Sequence, residues 1–391
     1  KGYQFEDTQG TFHLKKAENI SYLYFPIAGE AGLKSSFTPN LGGDAKIDQN
    51  TFLLEPVSAE NLVNNRNSRN FWCNVKGIGS WSLTGHSAEE LSKKFTEMQD
   101  DSEVTAGFMW QKTTRESKKY QLRGEILSFI PVDKNVEIML VTITNTGRMA
   151  QTVTPTAAIP LYGRSADNIR DHRHVTSLLH RIETTDTGVL VTPTLSFDER
   201  GHQVNHMTYY CVGWSGNGEK PVDFYPTAED FVGEGGNFER PYAIVKNAEG
   251  VKAGTKIEGL EAVGGLHFSE ITLEPEEECS YLIFTGITED IQEIRNLSKT
   301  YTTREKVLEE LEKTKAYWQE KGNVAYHTGD SDFNQFMHWV SFQPILRRIY
   351  GCSFLPHHDY GKGGRGWRDL WQDCLALLIM EPSVVRQMIV D

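Results

Sequence analysis

The stretch Ser280–Gly322, SYLIFTGITEDIQEIRNLSKTYTTREKVLEELEKTKAYWQEKG, changes its hydrophobic period midway. Its first residues, Ser280–Gly286, read as a strand, with apolar residues in an extended run. After Ile287 the period becomes helical. From Glu289 to Gly322, Leu297, Tyr301, Leu308, Leu311 and Trp318 recur at helical spacing among Glu, Lys and Arg. Thr302-Thr303-Arg304-Glu305 reads as a helix start, with a capping Thr and an acid three residues on. Gly322 reads as a stop. The stretch therefore predicts the end of a β domain followed by two linking helices.

Upstream, residues 1–286 carry short apolar or alternating runs separated by Gly, Asn, Asp and Pro. Examples are Thr51–Pro56, Gly124–Ile130, Val136–Thr144, Gly188–Thr194 and Met207–Trp214. Asn145-Thr146-Gly147 is a turn signal between strands. Many such runs with few helical periods predict a β-sandwich. Ala88–Glu97 and Asp223–Phe231 read as short helices or loops.

Downstream, Asp332–Ile349 places Phe333, Phe336, Met337, Val340, Phe342 and Ile345 on a broad apolar face. Pro344 is expected to kink or interrupt that helix, and Gly351 to end it. Trp367–Met380 is almost wholly apolar and is expected to be buried. Pro382 opens a further helix. So few amphipathic helices cannot cover one another. The expectation is that the native chain continues past Asp391, or that a second chain supplies the missing neighbours.

Composition narrows the function classes. A formal net charge of -13 argues against a nucleic-acid groove, which needs a positive footprint. No apolar run approaches the ~18 residues of a membrane span, and Lys1–Gly10 does not read as a signal peptide. The five cysteines are widely spaced with no CxxC pair, which predicts free thiols in a reducing, cytoplasmic setting. Eight tryptophans provide core filling, or flat platforms of the kind sugars stack on.

The chemistry concentrates in Pro356–Asp373. Glycines at 361, 363, 364 and 366 permit tight turns and close backbone approach. Lys362, Arg365 and Arg368 add positive charge, and Asp369 and Asp373 stand four apart on one helix side. Forked donors beside carboxylate acceptors suit sugar hydroxyls, and the helix N-terminus favours an anion. A nucleotide loop is disfavoured, since no GxxxxGK[ST] is present and no strand directly precedes the glycines. A hydrolytic acid pair normally comes from separate elements about 5–9 Å apart. An Arg–Asp network that merely ties a helix to its loop stays open. A second cluster, Leu161–His174, is dense in donors. His172 and His174 there, and His357-His358-Asp359, match metal ligands by type but lack a clear complete set, so no metal is expected. A loop over a polar site, or an interface loop, is the plainer reading of the second cluster.

Gly366-Trp367-Arg368-Asp369-Leu370-Trp371-Gln372-Asp373 resembles the Gly-aromatic-Arg-Asp-x-x-Gln-Asp signature of the inverting β-glucoside phosphorylases of glycoside hydrolase family 94. With Gly163–His174, it is most similar to the 1,2-β-oligoglucan phosphorylase branch. The resemblance covers nearly the whole chain. It implies a multidomain β + α architecture: an N-terminal β-sandwich at 1–286, a helical linker at 287–326, and the first helices of an incomplete (α/α)6 catalytic barrel at 327–391. It implies reversible attack of inorganic phosphate on a terminal β-1,2-linked glucose, giving α-glucose 1-phosphate and a shortened oligosaccharide with inversion. Phosphate is then a co-substrate, and no cofactor is needed. Arg368 and Asp369 match the motif residues that hold the donor glucose. Gln372 and Asp373 match the rest of the signature, and Arg365 is a further candidate contact. The family's general acid has no counterpart in this chain and is expected beyond Asp391, so the chain alone would supply part of the donor-sugar site. A homodimer is compatible with the resemblance; nucleic-acid and membrane partners are not expected. Two rival readings stay open. One is another enzyme of the same fold, such as the phosphorylase-like region of a cyclic β-1,2-glucan synthase, or a glycosidase. The other is a non-catalytic carbohydrate-binding module.

Overall fold

A computed structural model describes residues 2–20, 22–63, 66–198, 201–351 and 366–390. Among these, the largest sheet has eleven antiparallel strands. Its centre is Leu122–Phe129, Val136–Asn145, Glu278–Thr288 and Thr208–Ser215, hydrogen-bonded in that order. Its edges are the three-residue strands Tyr3–Phe5 and Lys256–Glu258. A second sheet runs Asp223–Thr227, Ala262–His267, Gln151–Leu161, Asn70–Val75, Gly79–Ser82, with Ile271–Leu273 also paired to Gln151–Leu161. A third, four-stranded sheet holds Phe25–Ala28, Lys34–Phe37, Ala45–Asp48 and Thr51–Leu54.

The long apolar run at 136–145 follows from where it lies. Successive side chains of a strand point to opposite faces. Met139, Val141 and Ile143 enter the core between the sheets, beside Phe71, Cys73 and Ile159. Val136, Ile138 and Leu140 face the other way, against Ile294, Leu297, Tyr301, Val307 and Leu311. Four of those belong to the linking helices Ile291–Thr300 and Arg304–Lys321, and Tyr301 caps the first of them. Both faces of this strand are dry, and each such side chain contributes about 1.5–3 kcal/mol by leaving water. Trp214 on the neighbouring strand donates its Nε1 proton to the Tyr301 carbonyl at 2.9 Å, pinning the turn between the two helices. The outer face of the second sheet is covered by the short helices Ala228–Val232 and Tyr242–Val245.

The strand-to-helix switch occurs where the period predicts it. The cap of the second linking helix is Thr303, whose side chain accepts from the Lys306 amide, and not Thr302. Gly322 ends that helix and Gly351, at φ 78°, ends the next. The Asn145 side chain closes the predicted turn by accepting from the Gly147 amide at 2.9 Å.

Two expectations need correction. The helix Ser331–Tyr350 runs through Pro344 without interruption. Phe342, Ile345 and Leu346 pack against Phe108, Met109 and Trp318, and this packing outweighs the one amide that proline removes. The helix Trp367–Leu377 is not sealed. Cys374 and Leu377 are buried, but Trp367, Leu375 and Ile379 are 77%, 71% and 79% exposed. Among the described residues its packed side meets the helices Ser331–Tyr350 and Pro382–Val390.

The helical part is locked onto the sandwich. Trp339 donates to the Gly10 carbonyl at 2.7 Å, and the Tyr350 hydroxyl reaches the carbonyls of Ile27 and Ser35 at 2.9 and 2.6 Å. Arg348 forks onto Glu30 at 2.9 and 2.7 Å, and onto Glu381 at 2.8 and 3.2 Å. Tyr317 also donates to Glu30, at 2.9 Å. Burial pushes the Glu30 carboxyl up, but hydrogen bonds from Arg348 and Tyr317 outweigh it and leave the group below its ordinary value. Its stabilisation is therefore full above the ordinary carboxyl range and is lost as pH falls through the lowered folded value. Glu30→Gln should cost about 1–2 kcal/mol at pH 7, moderated by partial exposure. Urea midpoints should show the gap to wild type closing toward pH 3; a gap that widens on acidification would count against the network.

Candidate functional site

The helix Trp367–Leu377 starts at Gly366, whose carbonyl accepts from the Leu370 amide at 3.0 Å. Asp369 lies in the first turn, where the partial positive charge of the helix end favours an acid. Arg368 stands beside it. Its Nη2 and Nε approach Asp369 Oδ1 at 3.2 and 3.4 Å. The two side chains are 84% and 45% exposed, so this is a solvent-facing pair rather than a buried tie. Trp367 and Trp371, on the same helix, are exposed and meet edge to face with ring centroids 5.9 Å apart. The helix thus exposes a forked donor, an acceptor and two apolar rings, groups of the kind that recognise a sugar.

The remaining candidates separate. Gln372 is exposed on the same helix. Asp373 is engaged elsewhere: Arg347 of the preceding helix forks onto it, Nε to Oδ1 and Nη2 to Oδ2, both at 3.2 Å. Among the described residues, an Arg–Asp tie between helices is thus made by Asp373, through Arg347. Arg365, Lys362 and His357-His358-Asp359 lie outside the described residues. Trp367 and Trp371 were not singled out from the sequence, although their i, i+4 spacing beside Arg368 was readable.

The second cluster sits on the sandwich. Gly163 adopts φ +59°, and its amide donates to the Phe52 carbonyl at 3.1 Å. The Phe52 amide in turn donates to the Arg164 carbonyl at 3.0 Å, fixing Arg164 beside the third sheet. Ser165 and Asn168 form a capping box for the turn that follows. The rings of His172 and His174 are 5.6 Å apart. Among the described residues no group of three or more His, Cys, Asp or Glu side chains is placed to hold a metal. Among them also, no helix is long and apolar enough to cross a membrane.

Comparison with known proteins bears on part of the chain. Cyclic beta-(1,2)-glucan synthase NdvB of Rhizobium meliloti (strain 1021) is 26% identical over 185 residues, 46% of this chain and 6% of that protein. The chain therefore spans a small part of this curated relative's length. Among solved structures, a bacterial glucoamylase complexed with acarbose matches 83% of this chain and 41% of its own, at 8% identity and a TM-score of 0.42. The family GH92 alpha-mannosidase BT3965 from Bacteroides thetaiotaomicron matches 87% and 38%, at 12% identity and a TM-score of 0.39. The family description "Glycosyl hydrolase 94, supersandwich domain" matches residues 54–304, more than half of the sequence and most of the sandwich just described. The chain belongs to glycosyl hydrolase family 94, a family of carbohydrate-active enzymes.

Proposed function

We propose that this chain is the front portion of an inverting phosphorylase of β-1,2-linked glucose oligomers. In this reading 1–286 is the sandwich, 287–326 the linker, and 327–391 the opening of an (α/α)6 barrel. The observation that carries it is the exposed Arg368–Asp369 pair in the first turn of a helix that also exposes Trp367 and Trp371. The family match and the glucan-synthase relative support the substrate class. Asp369 accepts from hydroxyls of the donor glucose, Arg368 donates to them, and a tryptophan face covers the ring. Gln372, Arg365 and Asp373 extend or brace that grip; Asp373 does so through Arg347. Phosphate attacks the anomeric carbon from the face opposite the leaving oxygen. The C–O bond breaks with inversion, and one carboxylic acid protonates the departing oxygen. Phosphate is itself the nucleophile, so no second catalytic carboxylate is required. The charged product is retained by membranes, which suits a cytoplasmic reaction.

The 26% match also favours a second reading, the phosphorylase-like region of a cyclic β-1,2-glucan synthase. The test is a panel of β-1,2-, β-1,3- and β-1,4-linked glucose oligomers, each given to the enzyme with phosphate. Sugar phosphate from the β-1,2 series is the expected result. Turnover confined to another linkage would overturn the substrate assignment, and a cyclic β-1,2-glucan as the preferred substrate would favour the second reading.

A further inference from the structure

Three arginines and two glutamates converge where the 161–174 segment meets the second and third sheets. They line a small surface cavity, with Tyr162 and Phe238. Two of the arginines are spent. Arg66 pairs with Glu261 at 2.5 Å. Arg173 spans both acids, reaching Glu261 at 3.0 Å and Glu55 at 2.5 Å. Arg164 is left over. It approaches Glu261 only to 3.9 Å, and its side chain is 6% exposed. Among the described residues its Nε and Nη2 protons find no acceptor, and the Tyr162 hydroxyl has no partner either.

The pattern is specific. Nε and Nη2 form one edge of the guanidinium, with parallel donors spaced for two oxygens of a single oxyanion. Leaving a buried cation's donors unmet costs free energy, so such an edge is expected to find an acceptor. Counting the lining charges, three guanidinium groups face two carboxylates, and the surplus is positive. His180, close to Gly163, adds no charge near neutrality, since burial holds its imidazole down at about 3. The backbone that carries Arg164 is fixed by the Phe52 hydrogen bonds, so the edge is preorganised.

We propose that this cavity is a binding site for a phosphate-type oxyanion, free or carried on a sugar, with Arg164 as its fork and the Tyr162 hydroxyl as a further donor. The proposal does not depend on the donor-sugar assignment at Arg368. The test is thermal unfolding of the chain titrated with inorganic phosphate, and separately with α-glucose 1-phosphate, against sodium chloride at matched ionic strength. A saturable rise in Tm is expected with at least one of the two. The arm with the larger response identifies the source, free anion or sugar ester. Arg164→Met should weaken the response about tenfold or more. It should cost little stability, because the edge it removes is unpaired. Tyr162→Phe should weaken the response severalfold, and Arg368→Ala should leave the response to inorganic phosphate unchanged. No saturable rise with either anion would overturn the site. So would a rise that Arg164→Met and Tyr162→Phe both retain in full.

Discussion

Asp369→Asn, made in the enzyme that carries this chain, is expected to lower phosphorolytic turnover by about a hundred- to a thousandfold and to leave the unfolding midpoint almost unmoved. The activity loss follows from the proposed role. Hydrogen bonds to donor-sugar hydroxyls strengthen as the anomeric carbon gains positive charge, and are worth several kcal/mol in the transition state. The stability half follows from the geometry. Asp369 contacts Arg368, which is itself 84% exposed, and exposed ion pairs contribute about 0–1 kcal/mol. Arg368→Ala should behave alike. Asp373→Asn should differ: it weakens the fork from Arg347 and should lower stability as well as rate. Steady-state kinetics with denaturant melts on the same preparations separate the cases. Wild-type turnover in Asp369→Asn would remove the donor-sugar assignment.

Arg69→Met should be among the most damaging substitutions for the fold, costing about 3–5 kcal/mol against a typical total of about 5–15. Arg69 and Glu137 are 1% and 3% exposed where the first and third sheets meet. The guanidinium Nε and Nη2 bond Glu137 at 2.5 and 3.1 Å, and other protons reach the carbonyls of Gly43 at 2.9 Å and Asp44 at 3.2 Å. Ser35 donates to the same carboxylate at 2.6 Å. Removing the cation leaves an uncompensated buried carboxylate and unmet carbonyls. The double variant Arg69→Met, Glu137→Leu removes both charges and should recover part of the loss. Urea unfolding of the three variants measures this. A single-variant cost below about 1 kcal/mol would show that the pair does not organise the junction.

The sequence exposed what local periodicity encodes. The change from strand to helix after Ile287 was readable because both periods are long and uninterrupted. Gly322 and Gly351 marked helix ends for the same local reason. Sheet order was not readable, because it is set by distant pairings such as Ile138 with Phe284. The edge strands Tyr3–Phe5 and Lys256–Glu258 are three residues each, too short for their alternation to announce them. Trp367–Leu377 looked like a core helix because its composition is apolar, yet composition does not say which neighbours arrive. At the site, spacing put Asp369 and Asp373 on one helix side. Only the structure shows Asp373 committed to Arg347. Arg164 belonged to a cluster dense in donors, but its cavity partners Glu55 and Glu261 come from about a hundred residues away on either side.

The most direct measurement is product analysis of the enzyme on β-1,2-linked glucose oligomers, with and without inorganic phosphate. The account predicts α-glucose 1-phosphate and a shortened oligomer with phosphate, and no cleavage when phosphate is withheld. Free glucose released at the same rate in its absence would contradict it.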